Sequence, residues 1–279
     1  MSAGSFALAG ELKVGRLGYG AMRLCGPGII GWPDDREDAL VVLRRVVELG
    51  VTLIDTADAY GPHVNELQIA EALHPYPAGL VIATKGGLIH ERAASWPPDG
   101  RPEHLREACE GSLLRLRLER IDLYQLHRPD PDVPFEESVG MLKELRDEGK
   151  IRHVGLSNVS REQLERARAI VPIVSVQNRY SIADRASEDV LELCERAGIA
   201  FLPWFPLGAG ALADADGPLA RVAGRHGATP AQVAIAWLLH RSPVVCPIPG
   251  TSSLEHLEEN VAAARIELSA EDLGDLAPR

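Results

Sequence analysis

Four residues carry side chains suited to moving a proton: Asp55, Tyr60 five positions on, Lys85 and His127. A tyrosine phenol, with an ordinary pKa of about 10, is a poor proton donor or acceptor at neutral pH unless something stabilises its phenolate. A buried lysine ammonium can do that, and about 1.4 kcal/mol of such stabilisation raises the phenol's acidity tenfold. The ammonium in turn needs a counter-charge to stay protonated away from water, and Asp55 is the candidate. His127 can donate a hydrogen bond to a substrate carbonyl oxygen and fix its position. Together the four make a proton relay beside a polarised carbonyl, with no activated nucleophile and no metal site.

Taken singly, each residue also admits a plain structural role. Asp55 could cap a turn, Lys85 could snorkel from a strand end, Tyr60 before Gly61-Pro62 could be turn packing, and His127 could be a satisfied structural histidine. The elements that must position them favour chemistry. Short apolar runs alternate with longer amphipathic segments along the whole chain, the pattern of a parallel sheet. The runs cover residues 16–20, 51–55, 80–85, 121–127, 151–158, 172–178, 199–204 and 244–250. Between them, helical patterns span 36–49, 66–73, 102–118, 135–148, 161–170, 187–197, 230–240 and 254–264, several ending at a glycine such as Gly50, Gly149 or Gly198. Eight such units predict a single (β/α)8 barrel domain over residues 1–279, with a doubly wound sheet as the runner-up. The segment from Phe6 to Val14, alternating around Ala9-Gly10, predicts a small hairpin that plugs the barrel's bottom. Strand after strand ends on a residue with chemistry: Asp55, Lys85, His127, Ser157 with Asn158, Gln177 with Asn178, Trp204, and Pro249-Gly250-Thr251. In a barrel all of these lie at one mouth, where barrel enzymes hold their sites.

Composition narrows the function classes. The chain has 279 residues and a formal charge of −11, which argues against general nucleic-acid affinity. The basic stretch from Arg115 to Arg120 reads as a solvated helix face. No apolar run is long enough for a membrane span, and the N-terminus lacks the pattern of a signal peptide, so the expected location is the cytoplasm. Cys25, Cys109, Cys194 and Cys246 form no CxxC pair and are expected to be free, buried thiols. Gly208 to Ala213 fits GxGxxA, but it lies seven strands into the chain instead of opening a βαβ unit, against a Rossmann dinucleotide site. The expected partner is a small molecule.

Residues 54–61, Ile-Asp-Thr-Ala-Asp-Ala-Tyr-Gly, resemble the Asp-Thr-Ala-x-x-Tyr-Gly signature of the aldo-keto reductases. Ala83-Thr84-Lys85 resembles that family's lysine strand, residues 122–127 (DLYQLH) its histidine strand, and Gly155-Leu156-Ser157-Asn158 its amide-binding strand. The resemblance covers essentially the whole chain. It implies a (β/α)8 barrel that transfers hydride between nicotinamide C4 and a carbonyl carbon, with Tyr60 as general acid, Lys85 and Asp55 tuning it, and His127 orienting the substrate. It also implies that Ser157, Asn158 and Gln177 take the nicotinamide carboxamide and that Trp204 stacks on the ring. Gly20, Ala21, Met22 and Asp55 border the same cleft, and Phe205, Pro206, Leu207 and Gly208 run beside the pyrophosphate. Ile248, Pro249, Gly250, Thr251, Ser252, His256, Glu259 and Asn260 form the adenosine-phosphate segment, where amides from Thr251 to Ser253 are expected to receive a phosphate.

Two departures bear on the cofactor. Many family members have a lysine where this chain has Gly250 and an arginine where it has His256. NADPH is expected from the family, with NADH the alternative. Substrate specificity is expected from the loops 24–32, 90–101 with Trp96 beside Tyr60 and His127, and 128–134. Residues 17–22, 26–28, 60–63 and 205–208 resemble a bacterial subgroup that includes pyridoxal reductases, which implies a compact aromatic aldehyde as substrate. The competing reading is a nicotinamide-binding regulatory subunit with little turnover. The sequence leaves the oligomeric state open.

Overall fold

The computed structural model describes residues 4–90, 95–206 and 217–277. The chain opens with the expected hairpin, β1 (Ser5–Leu8) paired antiparallel to β2 (Leu12–Gly15). Ala9 and Gly10 both take positive φ within the three-residue loop that joins Leu8 to Leu12. Leu8 and Val14 insert into the apolar cluster formed by Leu53, Val81, Leu123, Leu202 and Cys246, so the hairpin closes one end of the barrel interior.

Seven parallel strands follow in sequence order: β3 (Tyr19–Gly20), β4 (Leu53–Asp55), β5 (Val81–Gly86), β6 (Ile121–Leu126), β7 (Ile151–Ser157), β8 (Ile173–Gln177) and β9 (Ala200–Phe201). The intervening helices are α1 (Arg36–Glu48), α2 (Val64–Leu73), α3 (Pro102–Leu116), α4 (Phe135–Asp147), α5 (Arg161–Arg168) and α6 (Glu188–Ala197). After β9 come α7 (Pro218–His226), α8 (Pro230–Arg241), α9 (Leu254–Ala262) and α10 (Ala270–Asp275). No helix among the described residues is long and apolar enough to cross a membrane.

The architecture is the (β/α)8 barrel, with its eighth position filled by residues 244–250. That segment forms no regular strand, because Pro247 and Pro249 remove the N–H donors a ladder needs. It closes the barrel with separate bonds: Cys246 N–H to Phe201 O at 2.8 Å on one side, and Gly18 N–H to Pro247 O at 3.0 Å on the other. The first and seventh barrel strands, expected over 16–20 and 199–204, shrink to two residues each for the same reason. Their partner offers only intermittent donors.

Strand periodicity then sorts the side chains. In β6, Tyr124 and Leu126 pack outward against the helices, while Leu123 faces the barrel interior and Gln125 and His127 follow it on that face. The same alternation turns Asp55, Lys85, Ser157, Ser175 and Gln177 inward. One expectation fails in the helical layer. Arg115 is no solvated residue: its Nε donates to the fully buried Glu66 at 2.6 Å, because Glu66 would otherwise be an uncompensated charge in the α2/α3 interface. The helix also stops at Leu116, two residues early, where Arg117 turns left-handed. The four cysteines are free and buried as expected.

Candidate active site

At the C-terminal mouth lies a cavity of about 470 Å³. Asp55, Tyr60 and His127 line it, and Lys85 sits directly beneath, with no exposed surface. Its Nζ donates to Asp55 Oδ2 at 2.7 Å and to the Thr56 carbonyl at 2.8 Å, and lies 3.4 Å from the Tyr60 hydroxyl. A snorkelling lysine would reach water, and this one cannot. Burial by itself would lower the ammonium's pKa, but Asp55 and the Tyr60 oxygen outweigh it and hold the pKa above the ordinary lysine value. For Tyr60 burial also dominates: it raises the phenol's pKa, and the pull of Lys85 opposes the rise without reversing it. The hydroxyl therefore keeps its proton at neutral pH, which is the state a proton donor needs.

His127 has the opposite environment. Burial, then the positive charges of Lys85 and Arg128, push its pKa well below the ordinary histidine value, so the ring is neutral. Its Nδ1 has no partner among the described residues, and the ring meets Tyr60 edge-on with centroids 5.7 Å apart. Trp96 completes the wall, edge-on to Tyr60 at 6.2 Å and stacked on His90 at 3.5 Å. His90 Nδ1 lies 3.2 Å from the carbonyl of Ala59, next to Tyr60.

Asp55 is held from two further sides. Gln177 Nε2 donates to its Oδ1 at 2.7 Å and Gln125 Nε2 at 3.2 Å. Gln125 was not anticipated from the sequence; the available signal was a polar side chain on the inward face of an otherwise apolar strand. The reach of Gln125 depends on Gly155 in the next strand, where a Cβ would overlap Ser175 Oγ and sit 2.8 Å from Gln125 Cγ.

On the far side of the cavity Asn158 donates to His127 O and to Ser157 Oγ, and its Oδ1 accepts from Trp204 Nε1, each at 3.0 Å. Both amide hydrogens of Asn158 are therefore engaged. Among the described residues, the Ser157 hydroxyl proton and the Gln177 side-chain Oε1 stay free, one donor and one acceptor. That set matches a carboxamide. Gly20, Met22, Phe205, Pro206, Ile248, Pro249 and Gly250 line the same cavity. Gly20 and Gly250 must be glycines, because a Cβ on Gly250 would sit 2.5 Å from the Gly20 carbonyl oxygen. The absence of lysine at Gly250 thus has a steric cause. Ser252 lines a neighbouring groove instead, while Ala21, Thr251, His256, Glu259 and Asn260 line neither, and Leu207 and Gly208 fall outside the described residues. The expected phosphate-binding amides need one correction. Ser253 N–H is already bonded to Thr251 Oγ1 at 3.0 Å, and Ser253 Oγ caps α9 by accepting from His256 N–H, which leaves the amides of Thr251 and Ser252 with the first-turn amides of Leu254 and Glu255.

Two arginines also line the cavity and were not singled out from sequence. Arg23 packs its aliphatic stem near Gly250, and Arg128 follows His127. Neither could be assigned without knowing which strand ends meet.

The aldo/keto reductase family profile matches residues 16–277. The chain belongs to the aldo/keto reductase family. As a member it is an NAD(P)H-dependent oxidoreductase. It is 48% identical over 262 residues to an uncharacterized oxidoreductase of Schizosaccharomyces pombe, covering 94% of this chain and 85% of that protein. It is 46% identical over 283 residues to the pyridoxine 4-dehydrogenase of Escherichia coli, covering 99% and 98%. Among solved structures, a thermostable aldo-keto reductase in complex with the inhibitor epalrestat superposes with a TM-score of 0.87 at 33% identity, covering 98% of each chain. A Klebsiella pneumoniae aldo-keto reductase in complex with NADPH gives 0.82 at 29% identity, covering 99% of this chain and 94% of that one.

Proposed function

We propose that this member of the family reduces an aldehyde or ketone to an alcohol with NADPH, and that pyridoxal, reduced to pyridoxine, is a substrate. The observation that carries the reading is the fully buried Lys85 ammonium held between Asp55 and the Tyr60 hydroxyl. It is hard to account for structurally, since a buried ion pair gives little net stability. Bound nicotinamide supplies the hydride that the carbonyl carbon accepts. The chain's own residues do the rest. Tyr60 donates its proton to the carbonyl oxygen, and Lys85 stabilises the phenolate left behind. Asp55, fixed by Gln125 and Gln177, keeps Lys85 charged. His127, neutral at physiological pH, has an N–H to offer the carbonyl oxygen without competing as an acid. The Ser157 hydroxyl and the Gln177 side-chain Oε1 would hold the carboxamide, with Trp204 oriented by its bond to Asn158.

An acidic chain takes a polyanionic cofactor by supplying positive charge locally. Arg23 has no hydrogen-bond or ion-pair partner among the described residues and lies beside Gly250, so it supplies a cation where many relatives place a lysine. Preference for NADPH is supported by the relative solved with NADPH, and the pyridoxal assignment by the likeness to pyridoxine 4-dehydrogenase. The test is loss of the reduced-nicotinamide absorbance when purified protein is mixed with NADPH and pyridoxal. Faster turnover of pyridoxal than of simple benzaldehydes is expected. Equal or slower turnover removes pyridoxal as the assigned substrate, and no NADPH consumption with any aldehyde would favour a regulatory binding subunit.

A further inference from the structure

Resting on the reductase reading, we infer that Arg128 selects carbonyl substrates bearing an anionic substituent, a carboxylate or phosphate monoester, across the aromatic ring from the aldehyde. Arg128 directly follows His127, lines the catalytic cavity and is exposed at its mouth. Its one polar contact among the described residues is a long one, Nη1 to the Trp96 carbonyl at 3.4 Å.

Two carboxylates of the neighbouring loops are already engaged. Asp99 is engaged by Arg101, through Nε at 2.8 Å and Nη2 at 2.5 Å. Asp130 accepts from Gly100 N–H and Asp132 N–H, each at 2.9 Å. Arg128 forms no ion pair among the described residues, so its guanidinium stays available at the cavity mouth. Asp55 is the one carboxylate lining the cavity among the described residues, and Lys85 neutralises it. The mouth is therefore locally cationic on an anionic protein.

Placement separates this arginine from Arg23. Arg23 approaches Gly250 and also lines the neighbouring groove with Ser252 and Trp96, whereas Arg128 lines only the catalytic cavity, follows His127 in the chain and reaches the Trp96 carbonyl. A ring held against Trp96 with its carbonyl at Tyr60 directs its far substituent outward, toward the guanidinium. A planar fork of N–H donors suits carboxylate and phosphate alike.

The test compares 4-carboxybenzaldehyde and 4-formylphenyl phosphate with neutral methyl 4-formylbenzoate, using NADPH and the wild-type, Arg128→Gln and Arg128→Lys proteins. For the wild type, kcat/KM for at least one anionic aldehyde should exceed that of the ester about tenfold, mostly through KM. Which anion gains identifies the group recognised. Arg128→Gln should bring the ratio to near one, Arg128→Lys should retain part of it, and added salt should shrink the wild-type ratio. A wild-type ratio of one or less, or a ratio unchanged in Arg128→Gln, overturns the inference while ester turnover leaves the reductase reading standing. Failure to turn over any of the three aldehydes overturns both.

Discussion

Replacing Asp55 by Asn keeps the size of the side chain but removes the charge that faces Lys85 at 2.7 Å. At an effective dielectric of about 20, two unit charges at that separation interact by about 6 kcal/mol, enough to move the lysine's pKa by about 4. Relaxation and entering water reduce this, so a fall of about 2 to 4 is the reasonable expectation. Burial already pulls the Lys85 ammonium downward, so nothing offsets the loss except the Thr56 carbonyl. The lysine should then lose its proton at a lower pH than in the wild type. Above that pH a neutral amine cannot stabilise the Tyr60 phenolate, and proton donation slows. The assay is the pH profile of kcat for aldehyde reduction from acid to mildly alkaline pH, alongside thermal melts to show that the variant is folded. Wild-type kcat should be nearly flat in this range, and Asp55→Asn should show an alkaline limb that the wild type lacks. A folded variant whose profile runs parallel to wild type would refute the proposed role of Asp55 as the charge that keeps Lys85 protonated.

Two further perturbations probe the support around the site. Gly155→Ala drives a methyl into Ser175 Oγ and Gln125 Cγ, so it should cost about 1–3 kcal/mol of stability and lower kcat by loosening Asp55; a wild-type melting temperature with wild-type kcat would contradict the packing account. Asp58 lies fully buried near Lys85, its Oδ1 without a partner among the described residues, and burial followed by the nearby Glu66 pushes its carboxyl up to about 8. Because the folded pKa exceeds the unfolded one, the folded state holds a proton that the unfolded state releases, and stability falls as pH rises from about 4 to 8, by at most about 1.4 kcal/mol per pH unit. Asp58→Asn should gain stability relative to wild type as melts are moved from about pH 5 to about pH 8, and a constant difference would show that Asp58 is already ionised.

Much of this site was legible because barrel strands carry their chemistry at the ends, where a polar residue after an apolar run stands out. Asp55, Lys85, His127, Ser157 and Gln177 all announced themselves that way. Gln125 did not, since one polar residue inside a buried strand becomes meaningful only when register sets it beside Gly155 and Asp55. Arg23 and Arg128 escaped because a cation's role depends on which carboxylates fail to reach it, a property of tertiary structure alone. The helices α7 and α10 were not read from the sequence; α10, at six residues, spans too few turns for a 3.6-residue period to emerge. The eighth strand shows the converse. Its apolar run was read correctly as a wall of the barrel, yet its prolines deny it a regular ladder.

In the proposed mechanism Tyr60 is the group that gives its proton to the substrate. The most direct measurement is single-turnover reduction of an aromatic aldehyde by Tyr60→Phe with NADPH, alongside cofactor binding followed by tryptophan fluorescence. The variant should bind NADPH with nearly wild-type affinity and reduce the aldehyde at least about a hundredfold more slowly, the scale of a lost general acid. Reduction at the wild-type rate by a Tyr60→Phe protein would contradict the central claim.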